Sequence, residues 1–350
     1  MPNDSTVDNG GNGDNGDHGQ MKFGVLQFFS WPGRRVPLPT VYERALNRID
    51  IMDESGYDCV WLAEHHFSTY SVCPSVHLMG MHVAGRTKNI RIGTAVTLAS
   101  FYHPLRIAEE VALLDILSGG RVNWGAGRGF DRTEFEVFGV ELEESYPRFR
   151  ESVQVVLEAW RNERVTWHGD YFDFDEIEVL PKPHQQPTPP FWVAAGGPDA
   201  IDWAAKQGYS ILMDPHATHD ELGDKRRNYF NALDRYDHET DDRVIPMARL
   251  IAVAETDEEA EQIAINGAQW TIGSYANDKT SGSSNPSRLL SDEQRIERYA
   301  NQVVIHGSAS KVIDQLEELR DTIELDYLIA SPFSHDSFVR FTRDVMPYFQ

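Results

Sequence analysis

The sequence predicts an α/β fold, a (β/α)₈ TIM barrel with insertions, on the strength of three observations. Short apolar runs typical of buried parallel strands alternate along the chain with amphipathic helical patterns. Polar and glycine-rich residues follow several of these runs directly, which is where such a barrel carries its functional groups. The length of 350 residues suits one barrel with insertions.

A doubly wound sheet is the alternative fold for this alternation. That fold would place a GxGxxG phosphate-binding turn directly after the first strand. The first predicted strand is followed instead by the sequence FFSWP at residues 28–32, which does not match that pattern. The barrel is therefore the prediction.

Eight segments have the pattern of buried strands. Each is a short run rich in aliphatic or aromatic residues and is bounded by glycine, proline or polar residues. In chain order these segments are residues 22–28, 58–63, 89–98, 121–125, 191–195, 209–213, 246–254 and 325–330.

Helical periodicity occupies the intervals between the predicted strands. Proline stands near the first turn of several of these segments, where its missing N–H is tolerated. Thr40 is a candidate N-cap, because Glu43 follows it at the spacing of a capping box. The predicted helices are residues 40–55, 74–86, 104–117, 146–162, 198–207, 218–236, a helix that begins at 256, 309–322 and 337–348.

Three segments do not follow the alternation. Residues 1–20 are Asn, Asp and Gly with almost nothing apolar, so they are predicted to form a disordered acidic tail before a single barrel domain at 21–350. Residues 165–180 are aromatic, alternating and turn-rich, and they predict an inserted hairpin. Residues 273–290 are polar and unpatterned, which predicts a mobile lid.

The charge balance is strongly acidic. Asp and Glu number 55 against 32 Lys and Arg, a net charge of −23, and only 7 of the cations are Lys. Such a surface repels nucleic acid and anionic membranes, so neither is expected as a partner. A surplus of acid with scarce Lys fits a protein that works in high salt, where self-repulsion is screened. We therefore expect a halophilic host and an activity maximum at high KCl.

The sequence also bears on compartment and cysteine chemistry. No apolar run approaches the roughly 18 residues of a membrane-spanning helix, and the N-terminus lacks a secretory signal pattern. A cytoplasmic protein is therefore expected. Cys59 and Cys73 lack the spacing of a zinc site or of a disulfide framework.

The stretch GYDCVWLAEHHF at residues 56–67 is the most informative one for function. It is an apolar strand that ends in Glu64, His65 and His66. Since polar residues at the C-terminal end of a barrel strand carry the chemistry, we expect the site to begin there. Adjacent residues of an extended chain point to opposite sides, so at most one of the two histidines faces a common pocket. The other is expected to be a structural hydrogen-bonding residue.

Other polar residues near strand ends leave alternatives open. His103 follows the third predicted strand, where it either lines the pocket or caps the next helix. A metal site could draw on Glu64, His65, His103, Asp214 and His216. No HxxxH or HxH spacing supports such a site, so no metal is predicted. A serine nucleophile elbow is excluded because no GxSxG occurs.

Two glycine turns at neighbouring strand ends predict a phosphate site. Residues 125–130 (GAGRGF) let the backbone approach a ligand closely, and Arg128 can grip a phosphate there. Residues 194–199 (AAGGPD) lead into a helix N-terminus, which favours anions. Either turn alone is a common loop feature. Together they suggest one phosphate held between Arg128 and the amides of Gly196 and Gly197.

Several longer motifs extend across the chain from residue 21 onward. They are MKFG at 21–24, GYDCVWLAEHHF at 56–67, IGTAV at 92–96, HPLRIAEEVALLDILSGGR at 103–121, GRG at 127–129, FEVFG at 135–139 and DVMPYF at 344–349. With these motifs the chain resembles the bacterial luciferase-like family of flavin-dependent monooxygenases, close to the luciferase catalytic subunit. The EHHF and HPLR…SGGR blocks are specific, whereas the glycine pieces alone are not.

This resemblance implies a barrel that binds reduced FMN at its C-terminal mouth. Such an enzyme captures O₂ at flavin C4a and uses the resulting peroxide to oxidise a substrate. By motif, His65 corresponds to the family's catalytic histidine, with an acid–base role, and His66 to an accompanying histidine that orients the site. Arg128 corresponds to the family's phosphate-binding arginine.

The resemblance also implies the remaining flavin contacts, and the sequence differs from the family pattern in two further places. Gly196 and Gly197 stand where luciferase has a Glu-Ser pair, which suggests that backbone amides take over part of that phosphate contact. Ala95 and Val96 stand where the luciferase chain passes the flavin ring through a non-proline cis peptide. Gly127 replaces the family's reactive cysteine, so that thiol chemistry is absent here. The segment 273–290 aligns with the family's lid but differs from it in sequence.

Three functional hypotheses follow. The first is a two-component monooxygenase that receives FMNH₂ from a separate NAD(P)H:flavin reductase, because the chain has no nicotinamide fingerprint of its own. The second is a deazaflavin-dependent hydride-transfer enzyme on the same barrel, which the Glu-His-His block disfavours. The third is a non-catalytic flavin-binding relative, which the presence of His65 disfavours. The family also implies a dimer, either homomeric or heteromeric.

The substrate expected for the first hypothesis is an aldehyde, a ketone or another small apolar molecule. Aromatic residues cluster in the segments that would surround the mouth of the barrel. They are Phe28, Phe29, Trp31, Phe67 and Phe130. These side chains suit an apolar pocket, although aromatic residues at these positions are equally typical of a core. Light emission is not expected to be the biological role.

Overall fold

A computed structural model describes residues 20–241, 243–274 and 290–350. The predicted tail at 1–20 and the predicted lid at 273–290 lie outside these ranges except for their end residues. Among the helices in the described ranges, none combines the length and the apolar composition that crossing a membrane requires.

The strands of the described residues form one large parallel sheet and one separate pair. In chain order they are β1 (Lys22–Gln27), β2 (Cys59–Leu62), β3 (Arg91–Thr94), β4 (Thr97–Leu98), β5 (Val122–Gly127), β6 (Val165–His168), β7 (Asp173–Ile177), β8 (Phe191–Ala194), β9 (Ser210–Leu212), β10 (Met247–Val253), β11 (Val304–Gly307) and β12 (Tyr327–Pro332). β6 and β7 pair with each other in an antiparallel arrangement, apart from the main sheet.

Eight of these strands close into a barrel. Neighbours follow the order β10, β12, β1, β2, β3, β5, β8 and β9, and every pairing in this order is parallel. A parallel bridge between Met213, directly after β9, and Met247, the first residue of β10, joins the two ends of the order. The predicted (β/α)₈ barrel is therefore confirmed, and its eight strands are those that the sequence predicts.

Amphipathic helices follow the strands and bury their apolar faces against the outside of the barrel. In chain order they are α1 (Leu38–Glu54), α2 (Val76–Arg86), α3 (Pro104–Ser118), α4 (Arg132–Phe138), α5 (Ser145–Arg161), α6 (Pro198–Lys206), α7 (His219–Arg235), α8 (Asp257–Ser274), α9 (Asp292–Gln302), α10 (Ala309–Ile323) and α11 (His335–Arg340). The chain then continues through a π turn, Phe341–Val345, and a 3₁₀ turn, Met346–Tyr348.

Alternation along the strands divides the apolar core into two layers. In β2, Val60 belongs to the large layer between the strands and the helices, whereas Trp61 belongs to the smaller layer inside the barrel. The indole of Trp61 meets that of Trp192 edge to face, with ring centroids 5.4 Å apart. A Cβ at Gly93 would come within 2.4 Å of the Trp61 ring, so only glycine fits beside this indole. The inner layer closes the barrel below its C-terminal mouth.

Two local predictions about the first and third strand–helix units need correction. Thr40 is not an N-cap, because α1 already begins at Leu38 with Pro39 in its first turn. The Thr40 amide donates to the carbonyl of Pro37 at 3.0 Å, inside that turn. The predicted third strand at 89–98 divides into β3 and β4 around Ala95 and Val96, whose peptide bond is cis.

The sequence prediction lacks three elements that the structure shows: β11, α4 and α9. β11 pairs with the C-terminal half of β10, where Leu250 lies opposite Val304, and therefore lies outside the closed ring. Its four residues follow α9 without a turn signal, so its sequence reads as a continuation of helical periodicity. α4 has seven residues, too few to show a helical period in the sequence.

Candidate active site

A cavity of about 980 Å³ opens where the barrel strands end, at their C-terminal side. Its volume lies within the range of small-molecule and cofactor sites. The residues that the sequence predicts for the site line this cavity with one exception, His66. Those that line it are His65, Ala95, Val96, Gly127, Arg128, Gly196 and Gly197. The sequence prediction is therefore spatially coherent.

The residues after β2 form what we term the histidine side of the cavity: Glu64, His65, His66 and the neighbouring Glu134. The imidazole Nε2 of His66 donates to Glu64 Oε1 at 3.0 Å. The same carboxylate accepts from the hydroxyl of Tyr102 at 2.6 Å. Burial, reinforced by the Glu64 carboxylate, raises the pKa of Tyr102, so its hydroxyl stays protonated and continues to donate. His66 therefore lies behind the lining and holds Glu64 in place.

His65 is the histidine that faces the cavity. Its Nδ1 lies 3.7 Å from Glu134 Oε1. The imidazole stacks on Phe28 with ring centroids 6.2 Å apart, and Phe130 meets it edge to face at 6.0 Å. Tyr70 contacts it edge to face at 5.1 Å. The imidazole is thus held between aromatic rings on one edge of the cavity with a carboxylate beside one nitrogen.

The aromatic residues near the mouth divide between pocket and core. Phe28 and Phe130 line the cavity. Phe29 is fully buried in the core between strands and helices, and Trp31 packs against that core. Phe67 is 59% exposed and has a positive φ of 55°. The apolar lining beside His65 therefore comes from two of the five aromatic residues.

Arg128, Tyr146, Arg150 and the start of α6 form what we term the arginine side of the cavity. Arg128 donates to Ser145 Oγ at 2.9 Å and lies over the Tyr146 ring, 4.1 Å from its centroid. Arg150 lies near the same ring, at 5.9 Å, and donates to the carbonyl of Asp199 at 3.4 Å. Within the described residues, no carboxylate lies at ion-pair distance from either guanidinium. Two cations on the wall of one cavity thus lack an anionic counterpart among the described residues, although the chain as a whole is very acidic.

Burial is the main influence on the Arg128 guanidinium and lowers the pKa of that group below its ordinary value. An arginine at this position remains charged, because its pKa starts above about 12. Desolvation without a fixed counter-charge is unfavourable for a cation, and an arriving anion would offset it. The arginine side therefore favours an anionic ligand.

The N-terminus of α6 adds backbone donors to the arginine side. Gly197 is the N-cap of this helix and provides no side-chain hydrogen bond, and Pro198 follows in the first turn. A Cβ at Gly196 would meet nothing nearer than Asp214 Oδ2 at 3.6 Å, and one at Gly197 would meet nothing within 4 Å. The protein leaves open space in front of these glycines, which suits the approach of a ligand to the helix N-terminus.

Gly127 lies where the chain passes closest to the cis peptide. A Cβ at this position would lie 2.2 Å from Cγ2 of Val96, which is closer than any allowed contact. A cysteine or an alanine is therefore excluded unless Val96 moves. The glycine lets β5 and the Ala95–Val96 segment lie against each other on the cavity wall.

Residues after β9 and on α7 and α9 form a further wall that the sequence prediction addresses only in part. Lys225 donates to Asp214 Oδ2 at 3.0 Å, and Tyr299 forms a short hydrogen bond with His216 Nδ1. Desolvation would raise the pKa of Asp214, but Lys225 and His216 bring it below its ordinary value. Burial lowers the pKa of His216 to about 4, so its imidazole is neutral at pH 7. Arg249, fully buried, donates to the Asp214 carbonyl at 3.1 Å and supports this wall from behind.

The alternative roles of the remaining candidates can now be assigned. His103 is the N-cap of α3, and its Nδ1 accepts from the amide of Leu105 at 3.3 Å. It caps the helix and does not line the cavity. In the part of the chain that the structure describes, no group of three or more His, Cys, Asp or Glu side chains is arranged to hold a metal ion.

The structure adds Arg150, Tyr146 and Glu134 to the residues that the sequence identifies. All three lie on helices. The sequence analysis selects polar residues that directly follow a strand, so it does not identify them. The motif FEVFG at 135–139, adjacent to Glu134, is the sequence signal that pointed closest to this carboxylate.

Comparison with known proteins gives related enzymes of two cofactor types. A family model described as luciferase-like monooxygenase matches residues 21–323. A flavin-dependent trigonelline monooxygenase, oxygenase component, from Acinetobacter baylyi is 28% identical over 325 residues, which cover 88% of this chain and 90% of that protein. An F420-dependent glucose-6-phosphate dehydrogenase from Amycolatopsis mediterranei is 27% identical over 310 residues, which cover 84% and 91%.

One relative matches over a shorter region. The uncharacterized protein y4wF of Sinorhizobium fredii is 35% identical over 192 residues, or 55% of this chain. The match spans 56% of the length of that relative.

Solved structures show the same architecture. The monooxygenase RslO1 from Streptomyces bottropensis superposes with a TM-score of 0.80 at 25% identity, over 94% of this chain and 100% of that one. The oxygenating constituent of 3,6-diketocamphane monooxygenase from Pseudomonas putida, in complex with FMN, gives 0.78 at 17% identity, over 94% and 98%. At 17% identity, the similarity to the diketocamphane enzyme shows a shared fold and nothing further.

Proposed function

The chain belongs to the luciferase-like monooxygenase family, and from that premise we propose that it is the oxygenase component of a two-component system. It would use reduced FMN and O₂ to insert one oxygen atom into a small organic substrate. The observation that carries this proposal is a pair of arginines on the same cavity as His65, beside the N-terminus of α6. Neither arginine has a carboxylate partner among the residues that the structure describes.

The residues of the arginine side fit the phosphate of FMN. Arg128 and Arg150 supply charge, and the amides around Gly196 and Gly197 supply hydrogen-bond donors. Ala95, Val96 and Gly127 would lie along the isoalloxazine, since they line the wall between the two sides of the cavity. When bound, reduced FMN supplies the electrons and the C4a carbon at which O₂ is captured.

The histidine side supplies the proton chemistry of this proposal. His65 lines the cavity and would act as the acid–base group there, taking up or delivering a proton beside the bound flavin and the substrate. His66 would orient the site through its hydrogen bond to Glu64. The rings of Phe28 and Phe130 favour a substrate with an apolar body, such as an aldehyde or a ketone.

Two partners belong to this proposal. The trigonelline enzyme is named as an oxygenase component, which supports a separate NAD(P)H:flavin reductase that supplies FMNH₂. Exposed leucine and isoleucine side chains form an apolar stripe on α3, with Leu113 at 44%, Ile116 at 40% and Leu117 at 60% exposure. Such an i, i+3, i+4 stripe on a surface helix supports a dimer interface. Sedimentation of the protein at high KCl tests the dimer.

A deazaflavin-dependent hydride transfer is the second candidate function. The F420-dependent relative from Amycolatopsis mediterranei matches most of the chain, and Lys225, Arg295 and Arg298 line the cavity beyond the arginine side. A cofactor with a longer anionic chain would use such additional cations. The Glu-His-His block supports the oxygenase as the first candidate.

Rapid mixing distinguishes these candidates. The anaerobic protein with FMNH₂ is mixed with oxygenated buffer at high KCl, and the flavin spectrum is followed. We expect a transient absorbance that differs from those of both reduced and oxidised FMN. Immediate appearance of free FMN would contradict the oxygenase and make titration with reduced deazaflavin the next experiment.

A further inference from the structure

Glu134 is a buried carboxylate to which the proposed function assigns no role. Its side chain is 1% exposed and lies in the first turn of α4. Its Oε1 accepts a hydrogen bond from the backbone amide of His66 at 2.9 Å. Its Oε2 is buried and makes no hydrogen bond within the described residues. A buried carboxylate with an open acceptor is unfavourable, so its presence requires an explanation.

Helix capping does not explain this carboxylate. Asp131 is the N-cap of α4, and its Oδ1 accepts from the amide of Thr133 at 2.8 Å. A glutamate three residues after the N-cap commonly turns back to the N-cap amide in a capping box. Glu134 has that spacing, yet it directs Oε1 to His66 in the loop after β2. The short helix thus presents the carboxylate to the histidine side of the cavity.

The same oxygen also faces the imidazole of His65. Nδ1 of His65 lies 3.7 Å from Glu134 Oε1, which is longer than a hydrogen bond. Pairs of this kind are often long in the free enzyme and shorten in the complex with substrate. Because the His66 amide fixes Oε1, a small rotation of the His65 ring closes the remaining gap.

We infer that Glu134 is the positioning residue of His65. Its carboxylate favours the tautomer with the proton on Nδ1 and leaves Nε2 as the proton acceptor toward the cavity. The catalytic use of Nε2 rests on the proposed function, whereas the choice of tautomer does not. This assignment also explains why the carboxylate is buried beside the loop after β2 and not at the surface of α4.

Within the described residues, four other groups near His65 differ from Glu134 in their contacts or charge. Burial raises the pKa of Tyr70, so that ring stays neutral. Burial lowers the pKa of His216, across the cavity, to about 4. Burial raises the pKa of Asp131, the Thr133 backbone and hydroxyl and the nearby His65 lower it, and the Glu134 carboxylate raises it. Oδ1 of Asp131 already accepts from the amide of Thr133 as the N-cap of α4. Glu64 already accepts from His66 and Tyr102.

Glu134→Gln is the variant that tests the inference. Its amide oxygen can retain the His66 amide, while its NH₂ would donate to Nδ1 and favour the proton on Nε2. ¹⁵N NMR of the free, histidine-labelled protein reads the tautomer, with the His65 signals assigned from a His65→Gln variant. We expect Nδ1–H in the native protein and Nε2–H in the variant. Turnover should fall about 10²-fold with FMN affinity unchanged.

Two further variants complete the experiment. Glu136→Gln lies on the same helix with its side chain 72% exposed, and it should change neither tautomer nor turnover. Glu134→Asp keeps the charge and should retain the native tautomer. This variant is used if Glu134→Gln fails to fold.

Two outcomes overturn the inference: a native protein with the proton on Nε2, and a Glu134→Gln protein that loses only thermal stability. A shifted tautomer in a protein that shows no O₂-dependent turnover would instead remove the proposed function and leave the positioning role standing.

Discussion

The two sides of the cavity carry charged groups of opposite sign, and these groups differ in their burial and in their partners. On the histidine side the charges are carboxylates, and Glu64 and Glu134 are 3% and 1% exposed. Glu64 is held by hydrogen bonds from His66 and Tyr102. On the arginine side the charges are half-buried cations that lie over aromatic rings and lack carboxylate partners in the described chain.

This difference separates binding from proton chemistry. A cation without a fixed counter-charge gains most from an anion that arrives from solution, so the arginine side is suited to hold a ligand. A histidine beside a fixed, buried carboxylate is held close to its working orientation before a ligand arrives. Variants on the two sides should therefore affect different measured quantities.

His65→Ala should give the largest effect and act on turnover alone. Loss of an acid–base group lowers the rate of the step that it serves by about 10²–10⁴-fold. Binding of FMNH₂, measured by anaerobic titration, should remain close to native. His103→Ala is the matched control, since His103 follows the neighbouring strand but only caps α3. Loss of FMNH₂ binding in His65→Ala would instead show that His65 holds the ligand. The two sides of the cavity would then not differ in function.

Arg128→Ala should produce the opposite result. Loss of a charge-assisted contact to a phosphate corresponds to about 1.5–3 kcal/mol, or roughly a 10–100-fold weaker affinity. Titration with riboflavin, which lacks the phosphate, should show little change. Arg132→Ala, whose side chain is 63% exposed on α4, is the control. Equal weakening of FMN and riboflavin would exclude the phosphate assignment.

Most of the barrel could be predicted because the sequence patterns that indicate its strands are local. A buried parallel strand is a short apolar run, and the residue that follows it reaches the C-terminal mouth, which placed His65 and Arg128 on one cavity. The same reasoning explains the distinction between His65 and His66, since adjacent residues of an extended chain point to opposite sides.

The remaining features depend on contacts between distant parts of the chain. Arg150 reaches the cavity from α5, and Glu134 reaches the loop after β2 from the short α4. The local sequence around each of these two residues is that of an ordinary charged residue on a surface helix. The hydrophobic periodicity therefore does not distinguish them. β11 gains its strand conformation by pairing with β10, and without that pairing its sequence is ambiguous.

Gly127→Ala tests how tightly the cavity wall between the two sides is packed, and it should lower stability. The added Cβ would lie 2.2 Å from Val96 Cγ2, and overpacking of this kind destabilises by about 1–3 kcal/mol. Urea unfolding followed by fluorescence measures the change. Gly85→Ala is the control, because a Cβ there meets nothing within 4 Å. Adding Val96→Ala should restore most of the stability. If it does not, the clash is not the cause of the loss.

The buried histidines His216, which lines the cavity, and His219, which does not, extend the comparison to pH, with the smallest expected effect. Burial lowers the pKa of both imidazoles to about 4, against 6.5 for an ordinary histidine. Between these values the unfolded chain binds more protons than the folded one, so stability is complete above pH 6.5 and is lost as pH falls toward 4. Each histidine contributes a slope of at most about 1.4 kcal/mol per pH unit.

Urea unfolding at constant KCl across this window measures that slope. His219→Gln should reduce it, whereas a glutamine at the exposed His82 should leave it unchanged. An unaltered slope in His219→Gln would mean that burial does not lower the pKa of this imidazole in the folded protein. The same measurement on His216→Gln bears on the cavity itself, because His216 lines it. A neutral His216 adds no charge to the cavity at pH 7, so the proton chemistry stays on the histidine side.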